Sequence, residues 1–250
     1  MLSPAEVARA YVTAGKKKAE LSALHAFLLA ILAGAFIALA GTASTIGGAL
    51  FGKLVSAAIF PAGLAMVIVA GSELFTGNCL LVIPVLEREI TVRQLLRNWF
   101  IVYLGNLVGG VLVAALTVFA GTYDSVYEAV IAAAAAKIAL PFTAALLRGV
   151  LCNFLVCIAV WMAFSAQTVV GKIGGLYLPI FLFVLCGFEH SVANMFYIPA
   201  GILAAGRYGV AAELSLSGMW VRNLLPVTIG NIIGGCSVGI VYRTIYLRKK

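Results

Sequence analysis

Two short polar stretches interrupt apolar segments of the chain, and they carry its best candidates for chemistry. The first, Gly187–Asn194, contains His190 and lies within an apolar segment that extends from about residue 174 to residue 205. The second, Gly71–Asn78, repeats the frame G-x-E-x-x-x-x-N 116 positions earlier. An ionisable residue inside a membrane span is costly and is by default a candidate functional residue. We therefore expect the functional site to be organised around these two interruptions.

The composition predicts a membrane protein. The chain has 250 residues, of which 63% are hydrophobic and 10% are charged. Soluble domains are typically about 45–50% apolar and about 25% charged. A membrane-spanning helix needs roughly 20 apolar residues. The chain therefore holds six spans with short loops, in a single all-α polytopic domain.

Six apolar segments can be distinguished, and the second and fifth contain the interruptions. They run from about 21 to 46, 55 to 86, 98 to 120, 142 to 165, 174 to 205 and 221 to 246. The preceding stretch, residues 1–20, begins with Ser3 and Glu6 at the spacing of a helix capping box. It predicts an amphipathic helix at the membrane surface. A loop at 121–141 separates the two halves.

A second repeated frame, G-N-x-x-G-G, indicates internal duplication. It occurs at Gly105–Gly110 and at Gly230–Gly235, which are 125 positions apart. Both frames recur in the same order, in matching spans. Three spans per half is an odd number, so the second half must be inverted in the membrane. The prediction is two inverted three-helix repeats, 21–120 and 142–246, with a binding or conduction site near the midplane.

The charge distribution predicts the topology. The chain has 17 Lys and Arg against 9 Asp and Glu, a net charge of +8. With the N-terminus inside, 12 of the basic residues fall on the inner side and 5 on the outer side. The inner 12 include Arg248, Lys249 and Lys250. The positive-inside rule then predicts cytoplasmic termini and accounts for the basic charge without a nucleic-acid partner.

The broken spans favour a particular kind of ligand. An interruption frees backbone N–H groups, and the half-helix that follows it begins with a partial positive charge. Two such starts that converge on one centre favour an anion or a polar neutral solute. The acidic and amide residues of the two frames are expected to brace the breaks rather than bind substrate: Glu73, Asn78, Glu189 and Asn194. His190 itself has a structural alternative, as an interhelical hydrogen-bonding residue.

Three stretches closely resemble the formate/nitrite transporter family: Gly71–Thr76, Phe188–Met195 and Pro226–Gly235. The resemblance extends from Pro4 to Leu247. It implies an aquaporin-like fold and a homopentamer with one pore per protomer, in the cytoplasmic membrane of a prokaryote. It also implies passage of a small monovalent anion such as formate, nitrite or hydrosulfide, and not an enzyme.

The resemblance implies roles for individual residues. His190, Thr76 and Asn231 are expected to line the substrate pore. Leu74, Phe75 and Phe183 are expected to form the constriction. Lys18 and Lys137, one in each vestibule, are expected to attract anions. We expect the lysines to gather the anion and His190 to supply or stabilise the proton with which it crosses.

Several functions remain open from the residues alone. A channel for formate is the leading hypothesis, and the alternatives are a nitrite or hydrosulfide channel and a proton-coupled anion symporter. A pore for neutral solutes is disfavoured because the paired Asn-Pro-Ala motifs of aquaporins are missing from the sequence. An intramembrane enzyme, a metal site or a cofactor is not expected, because the two histidines are far apart and no CxxC pair occurs.

Overall fold

The part of the chain that the structure describes is built from helices. In the computed structural model, which describes residues 1–247, no residue lies in a β-strand. Arg248, Lys249 and Lys250, which entered the charge count, lie outside the described residues. Six helical segments of this part are long and apolar enough to cross a membrane: Ala23–Phe51, Lys53–Ala70, Val92–Phe119, Phe142–Ser165, Val169–Cys186 and Gly218–Tyr246. The chain is a multi-pass membrane protein.

The N-terminal helix α1 (Pro4–Glu20) begins at the capping box that the sequence predicts. The Ser3 hydroxyl accepts the Glu6 N–H at 3.4 Å, and the Glu6 carboxylate accepts the Ser3 N–H at 2.7 Å. The Ser3 hydroxyl also donates to the Glu6 carboxylate at 2.7 Å. Because this bond and the bond from the Ser3 N–H favour the ionised carboxylate, they lower the pKa of Glu6 below its usual value.

The apolar face of α1 packs on protein rather than on a membrane surface, which corrects the expectation above. Val7, Ala8 and Tyr11 are buried against the second, fourth and sixth spans. The Tyr11 hydroxyl donates to the carbonyl oxygen of Gly77 at 3.2 Å. Helix α1 is therefore attached directly to the interruption of the second span.

The first two spans differ in continuity. Helix α2 is unbroken and covers Ala23–Phe51. The second span consists of α3 (Lys53–Ile59), α4 (Pro61–Ala70), a 3₁₀ helix (Gly77–Leu81) and α5 (Val82–Leu86). Pro61 separates α3 from α4, since proline has no N–H to continue the helical ladder. Between Ala70 and Gly77 the backbone is not helical.

The rest of the chain follows the predicted order with one added helix. The elements are α6 (Val92–Phe119), α7 (Tyr127–Ile138), α8 (Phe142–Ser165), α9 (Val169–Cys186), α10 (Ser191–Tyr208), a π-helical segment (Gly218–Leu224) and α11 (Leu225–Tyr246). Helix α8 has the bounds predicted for the fourth span. Helix α7 lies within the stretch that was predicted as a loop. The π-helical segment starts the sixth span three residues before its predicted beginning.

Glycines of the repeated G-N-x-x-G-G frame allow two pairs of helices to pack closely. A Cβ on Gly109 of α6 would overlap the carbonyl oxygen of Ile31 in α2. A Cβ on Gly234 of α11 would overlap the carbonyl oxygen of Val150 in α8 in the same way. Small residues that permit backbones to approach are typical of membrane helix packing. The frame therefore fixes α6 against α2 and α11 against α8.

Candidate functional site

Each break is made by a glycine in a left-handed conformation. Gly71 ends α4 with φ +79°, and Gly187 ends α9 with φ +69°. A side chain is disfavoured in this conformation. The helical segments before the breaks, Lys53–Ala70 and Val169–Cys186, both contain 18 residues and start 116 positions apart. The two halves of the chain thus reach their breaks in equivalent ways.

The first break, which lies in the second span near the N-terminal helix, is held by a largely buried cluster of one lysine, one glutamate and two asparagines. Lys18 Nζ donates to Glu73 Oε1 at 2.6 Å and to Asn78 Oδ1 at 3.2 Å. Asn78 Nδ2 donates to Glu73 Oε2 at 2.7 Å and to Asn98 Oδ1 at 2.9 Å. Glu73 is thereby paired and hydrogen-bonded, as a buried charge must be.

The other break carries an equivalent cluster. Lys137 Nζ donates to the two carboxylate oxygens of Glu189 at 3.0 and 3.2 Å. Asn194 Nδ2 donates to Glu189 Oε2 at 2.6 Å and to Asn223 Oδ1 at 2.7 Å. Lys137 comes from α7, so α7 contributes to this break what α1 contributes to the first one.

The asparagine of the G-N-x-x-G-G frame braces the backbone of each break. Asn106 Oδ1 accepts the N–H of Phe75 at 2.9 Å, and its Nδ2 donates to the carbonyl oxygens of Ala30 (2.8 Å) and Glu73 (2.9 Å). Backbone polar groups at membrane depth must be satisfied by such partners. Asn106 therefore stabilises the non-helical backbone of the first break.

Asn231 repeats this arrangement at the second break. Its Oδ1 accepts the N–H of Ser191 at 2.9 Å, and its Nδ2 donates to the carbonyl oxygens of Gly149 (2.8 Å) and Glu189 (2.9 Å). Its side chain is fully buried. Asn231 is thus bonded to the backbone on both sides of His190, and not to the imidazole itself.

The two breaks meet at a narrow central cavity, which we call the constriction. Its volume is about 10 Å³, roughly the space that one water molecule requires. It is lined by His190, Leu74 and Phe183, together with Ile37, Phe60, Leu64, Val156 and Ile180. The Phe60 and Phe183 rings meet edge to face, with centroids 5.6 Å apart. The constriction is therefore apolar except for the imidazole.

The hydrogen bonds of His190 fix its tautomer in the neutral form. Nδ1 accepts the N–H of Ala193 at 2.9 Å, so His190 caps α10. Nε2 lies 2.9 Å from Thr76 Oγ1. Because Nδ1 is an acceptor, the ring proton is on Nε2 and is donated toward Thr76. Phe183 stacks on the imidazole with an interplanar angle of 19°.

The backbone of Thr76 is held by the fourth span. Asn153 Nδ2 donates to the carbonyl oxygen of Thr76 at 3.1 Å and to that of Asn231 at 2.7 Å. Thr76 and Asn153 are both fully buried. Asn153 therefore connects the loop of the first break to the helix that braces the second, and keeps the Thr76 hydroxyl opposite the imidazole.

Two vestibules lie on opposite sides of the constriction. The Lys18 vestibule has a volume of about 250 Å³ and is lined by Tyr11, Lys18, Glu73 and Leu74, among others. The Lys137 vestibule has a volume of about 220 Å³ and is lined by Lys137, Glu189, His190 and Asn194, among others. Leu74 belongs to the first vestibule and His190 to the second, and both belong to the constriction.

The structure brings together most of the residues singled out in the sequence. His190, Leu74 and Phe183 line the constriction, and the two lysines lie in the two vestibules. Thr76 does not line the constriction itself but contacts the His190 imidazole at 2.9 Å. Phe75 is different: its ring packs edge to face on Trp99 and Tyr103, and it does not line the constriction. We therefore assign Phe75 to packing rather than to the constriction.

Several residues of the site were not assigned a role from the sequence, among them Phe60, Asn98, Asn153 and Asn223. The pair Asn98 and Asn223 had a detectable signal, since each lies seven positions before the glycine of the G-N-x-x-G-G frame. The longer frame N-x₆-G-N-x-x-G-G would have found both. Phe60 and Asn153 belong to neither frame, and their spacing gives no comparable signal.

The arrangement does not resemble a metal centre. Within residues 1–247, no group of three or more His, Cys, Asp or Glu side chains is placed to hold a metal ion. The five cysteines are all free thiols in the structure. What the site offers is hydrogen-bond donors around an apolar constriction, with one partly buried lysine in each vestibule.

Comparisons with known proteins agree with this geometry. The sequence model of the family described as "Formate/nitrite transporter" matches residues 5–244. The chain is 40% identical to "Formate channel FocA" of Escherichia coli (strain K12), over 100% of this chain and 96% of that protein. It is 39% identical to "Probable formate transporter" of Methanothermobacter thermautotrophicus, over 99% of this chain and 98% of that protein.

Two solved structures are similar over most of the chain. A structure described as "FNT family ion channel" aligns with a TM-score of 0.87 at 32% identity, covering 95% of this chain and 97% of that one. A structure described as "Pentameric formate channel with formate bound" aligns with a TM-score of 0.79 at 35% identity, covering 90% of this chain and 98% of that one.

Proposed function

The chain belongs to the formate/nitrite transporter family, and on that premise we propose that it is a homopentameric membrane channel for formate. It acts as a channel and not as an enzyme. The observation that carries the proposal is the 2.9 Å contact between His190 Nε2 and Thr76 Oγ1 beside the constriction that separates the two vestibules.

The orientation in the membrane is part of the proposal. The channel lies in the cell membrane with both termini in the cytoplasm, as the distribution of Lys and Arg favours. The Lys18 vestibule then opens to the cytoplasm and the Lys137 vestibule to the outside. Exposed apolar side chains of α2, which include Leu24, Leu28, Leu32 and Leu39, face lipid or a neighbouring protomer.

Formate crosses the constriction as the neutral acid. An isolated anion in a dry, low-dielectric site costs on the order of 20 kcal/mol in the idealised Born estimate. Protonation of a weak acid about three pH units above its pKa costs only about 4 kcal/mol. The constriction has no side-chain cation among its lining residues. Protonation is therefore the cheaper route through it.

The vestibule lysines and His190 act at successive stages. Lys18 and Lys137 hold the anion by hydrogen bonds at the two openings. His190 then presents its Nε2–H to a substrate oxygen, in exchange for the Thr76 hydroxyl, while Nδ1 stays bonded to Ala193. Because Nδ1 remains an acceptor, the imidazole can donate this hydrogen bond without losing its role as helix cap. The proton that neutralises formate comes from the water of the vestibule, and the neutral acid, held by the His190 Nε2–H, then passes Leu74.

Passage requires the constriction to widen. Its volume of about 10 Å³ accepts roughly one water molecule, and formate is larger. Rotamer changes of Leu74, Phe60 and Phe183 would widen the constriction, whereas the backbone of the breaks is fixed by Asn106, Asn231 and Asn153. The braced breaks therefore keep the donors in place while the apolar side chains open.

The test is stopped-flow uptake into liposomes that contain the purified protein. Formate is compared with nitrite, hydrosulfide, glycerol and ammonium, and protein-free liposomes give the background. His190→Ala removes the imidazole, and His190→Asn is the matched control because asparagine also caps a helix. We expect selective formate flux in the wild type and strong loss in both variants. Passage of glycerol or ammonium without anions would overturn the proposed function.

A further inference from the structure

The two vestibule lysines do not present a net positive charge. Lys137 Nζ lies 3.0 Å from Glu189 Oε1, and Lys18 Nζ lies 2.6 Å from Glu73 Oε1. Each pair is formally neutral and mostly buried. Such a pair offers hydrogen bonds to an anion that has already arrived. It exerts little long-range attraction on an anion in the surrounding water.

Lys53 is a charged residue at the rim of the Lys137 vestibule. It begins α3 directly after Gly52 and is exposed to solvent. Its Nζ lies 3.8 Å from the position that a Cβ on Gly187 would occupy, and Gly187 lines the vestibule. Among residues 1–247, no carboxylate oxygen lies within 4.0 Å of Lys53 Nζ. The ammonium is therefore an unpaired charge beside the opening.

The repeat does not place an equivalent charge at the other break. The position 116 residues after Lys53 is Val169, which begins α9 and is apolar. A Cβ on Gly71, the counterpart of Gly187, would have no neighbouring atom within 4 Å. A lysine is thus present at this position in the first half of the chain only, so the duplicated helix packing does not require it.

We propose that Lys53 is the residue that captures anions at the mouth of the Lys137 vestibule and passes them to the Lys137–Glu189 pair. The inference rests on the proposed function, since it assigns the anion to that channel. A unit charge about 6 Å from an arriving anion, in a water-like dielectric, changes the local anion concentration by about threefold. Gly187 leaves the space between the ammonium and the opening free of any side chain.

The experiment measures formate permeability of proteoliposomes at low substrate concentration and at two ionic strengths. The variants are Lys53→Gln, Lys53→Glu and Lys53→Arg. The matched control is Arg222→Gln, which removes an exposed positive charge from a separate groove lined by Glu213 and Leu214. At 10 mM salt the Debye length is about 30 Å, and at 1 M it is about 3 Å.

We expect Lys53→Gln to lower permeability about threefold at 10 mM salt and Lys53→Glu to lower it further, with little difference from wild type at 1 M. Lys53→Arg and Arg222→Gln should both retain wild-type flux. Suppose that wild type conducts formate above the protein-free background, and that Lys53→Gln has the same permeability as wild type at both salt concentrations. The inference is then wrong and the channel function stands. If wild type itself does not exceed the background, it is the proposed function that fails.

Discussion

Leu74 and His190 occupy equivalent positions in the two halves of the chain and line the same constriction. Each directly follows the glutamate of the G-x-E-x-x-x-x-N frame, 116 positions apart. The duplicated fold thus places one apolar and one polar side chain at the same point of its two breaks. In the proposed function the apolar member excludes water and ions, and the polar member donates a hydrogen bond to the substrate. We propose that this difference between the repeats makes the centre of the pore chemically selective.

The first prediction concerns the hydroxyl opposite the imidazole. Thr76→Val keeps the shape of the side chain but removes the partner of His190 Nε2. Without this hydroxyl the imidazole is held by its Nδ1 bond to Ala193 alone, so its Nε2–H is less well oriented and we expect formate flux to fall by about tenfold. Stopped-flow uptake measures the change. Thr76→Ser retains the hydroxyl and should retain most of the flux, and equal loss in both variants would contradict the assigned role.

The second prediction concerns Leu74. Leu74→Ala removes apolar volume from the constriction, so we expect a faster flux with weaker selectivity, seen as passage of glycerol as well as formate. Leu74→Met is the control, because swaps that conserve volume usually cost less than 1.5 kcal/mol and leave the packing intact. If Leu74→Ala still excludes glycerol, Leu74 is not the barrier to neutral solutes.

The third prediction compares the two bracing asparagines. Each of Asn106→Leu and Asn231→Leu removes the partner of one N–H and one carbonyl group of a break, and also a bond to a carbonyl of a neighbouring helix, Ala30 in α2 or Gly149 in α8. Individual polar contacts in membrane proteins are worth about 0.6–2 kcal/mol, so each variant should lose a few kcal/mol of stability. Thermal unfolding of the detergent-solubilised protein should show similar losses for both. A large loss in one variant only would contradict their equivalence.

The fourth prediction concerns the capping box of α1 and its pH dependence. The folded pKa of Glu6 is lowered by its bonds to Ser3, so the stabilisation is present above the unfolded pKa and is lost as the pH falls through the folded value. Ser3→Ala should increase amide hydrogen exchange in the first turn of α1 at neutral pH. Acidification through the lowered pKa of Glu6 should decrease the protection factors of the same amides in the wild type, once the slower intrinsic exchange at low pH is taken into account. Equal exchange in wild type and Ser3→Ala at neutral pH would show that the box is not stabilising.

The sequence predicts much of this architecture because a membrane span can be identified from the length of its apolar run. The fourth span was predicted with its observed bounds, and both breaks follow from glycine and acidic residues inside apolar runs. The stretch that holds helix α7 was predicted as a loop whose alanine run at 132–136 permits a helix, but no signal in that run marks where the helix begins and ends. Its role as carrier of Lys137 becomes evident only when it packs beside α10.

Contacts between residues far apart in sequence were not predictable in the same way. The Asn153 bond to Thr76 joins residues 77 positions apart, and neither spacing nor residue type indicates it. The family resemblance placed Phe75 in the constriction together with its neighbour Leu74. The two side chains diverge at the break, however, and Phe75 packs on Trp99 and Tyr103 instead.

The central claim is that formate passes the constriction beside His190 as a neutral acid. The direct measurement is formate flux and accompanying proton movement in proteoliposomes whose membrane potential is set with a potassium ionophore. The account predicts one proton moved per formate and a flux unaffected by potential. An anion that crosses charged would instead respond strongly, since 100 mV is worth about 2.3 kcal/mol per charge, or about fiftyfold at equilibrium. Voltage-dependent flux without protons would contradict the account.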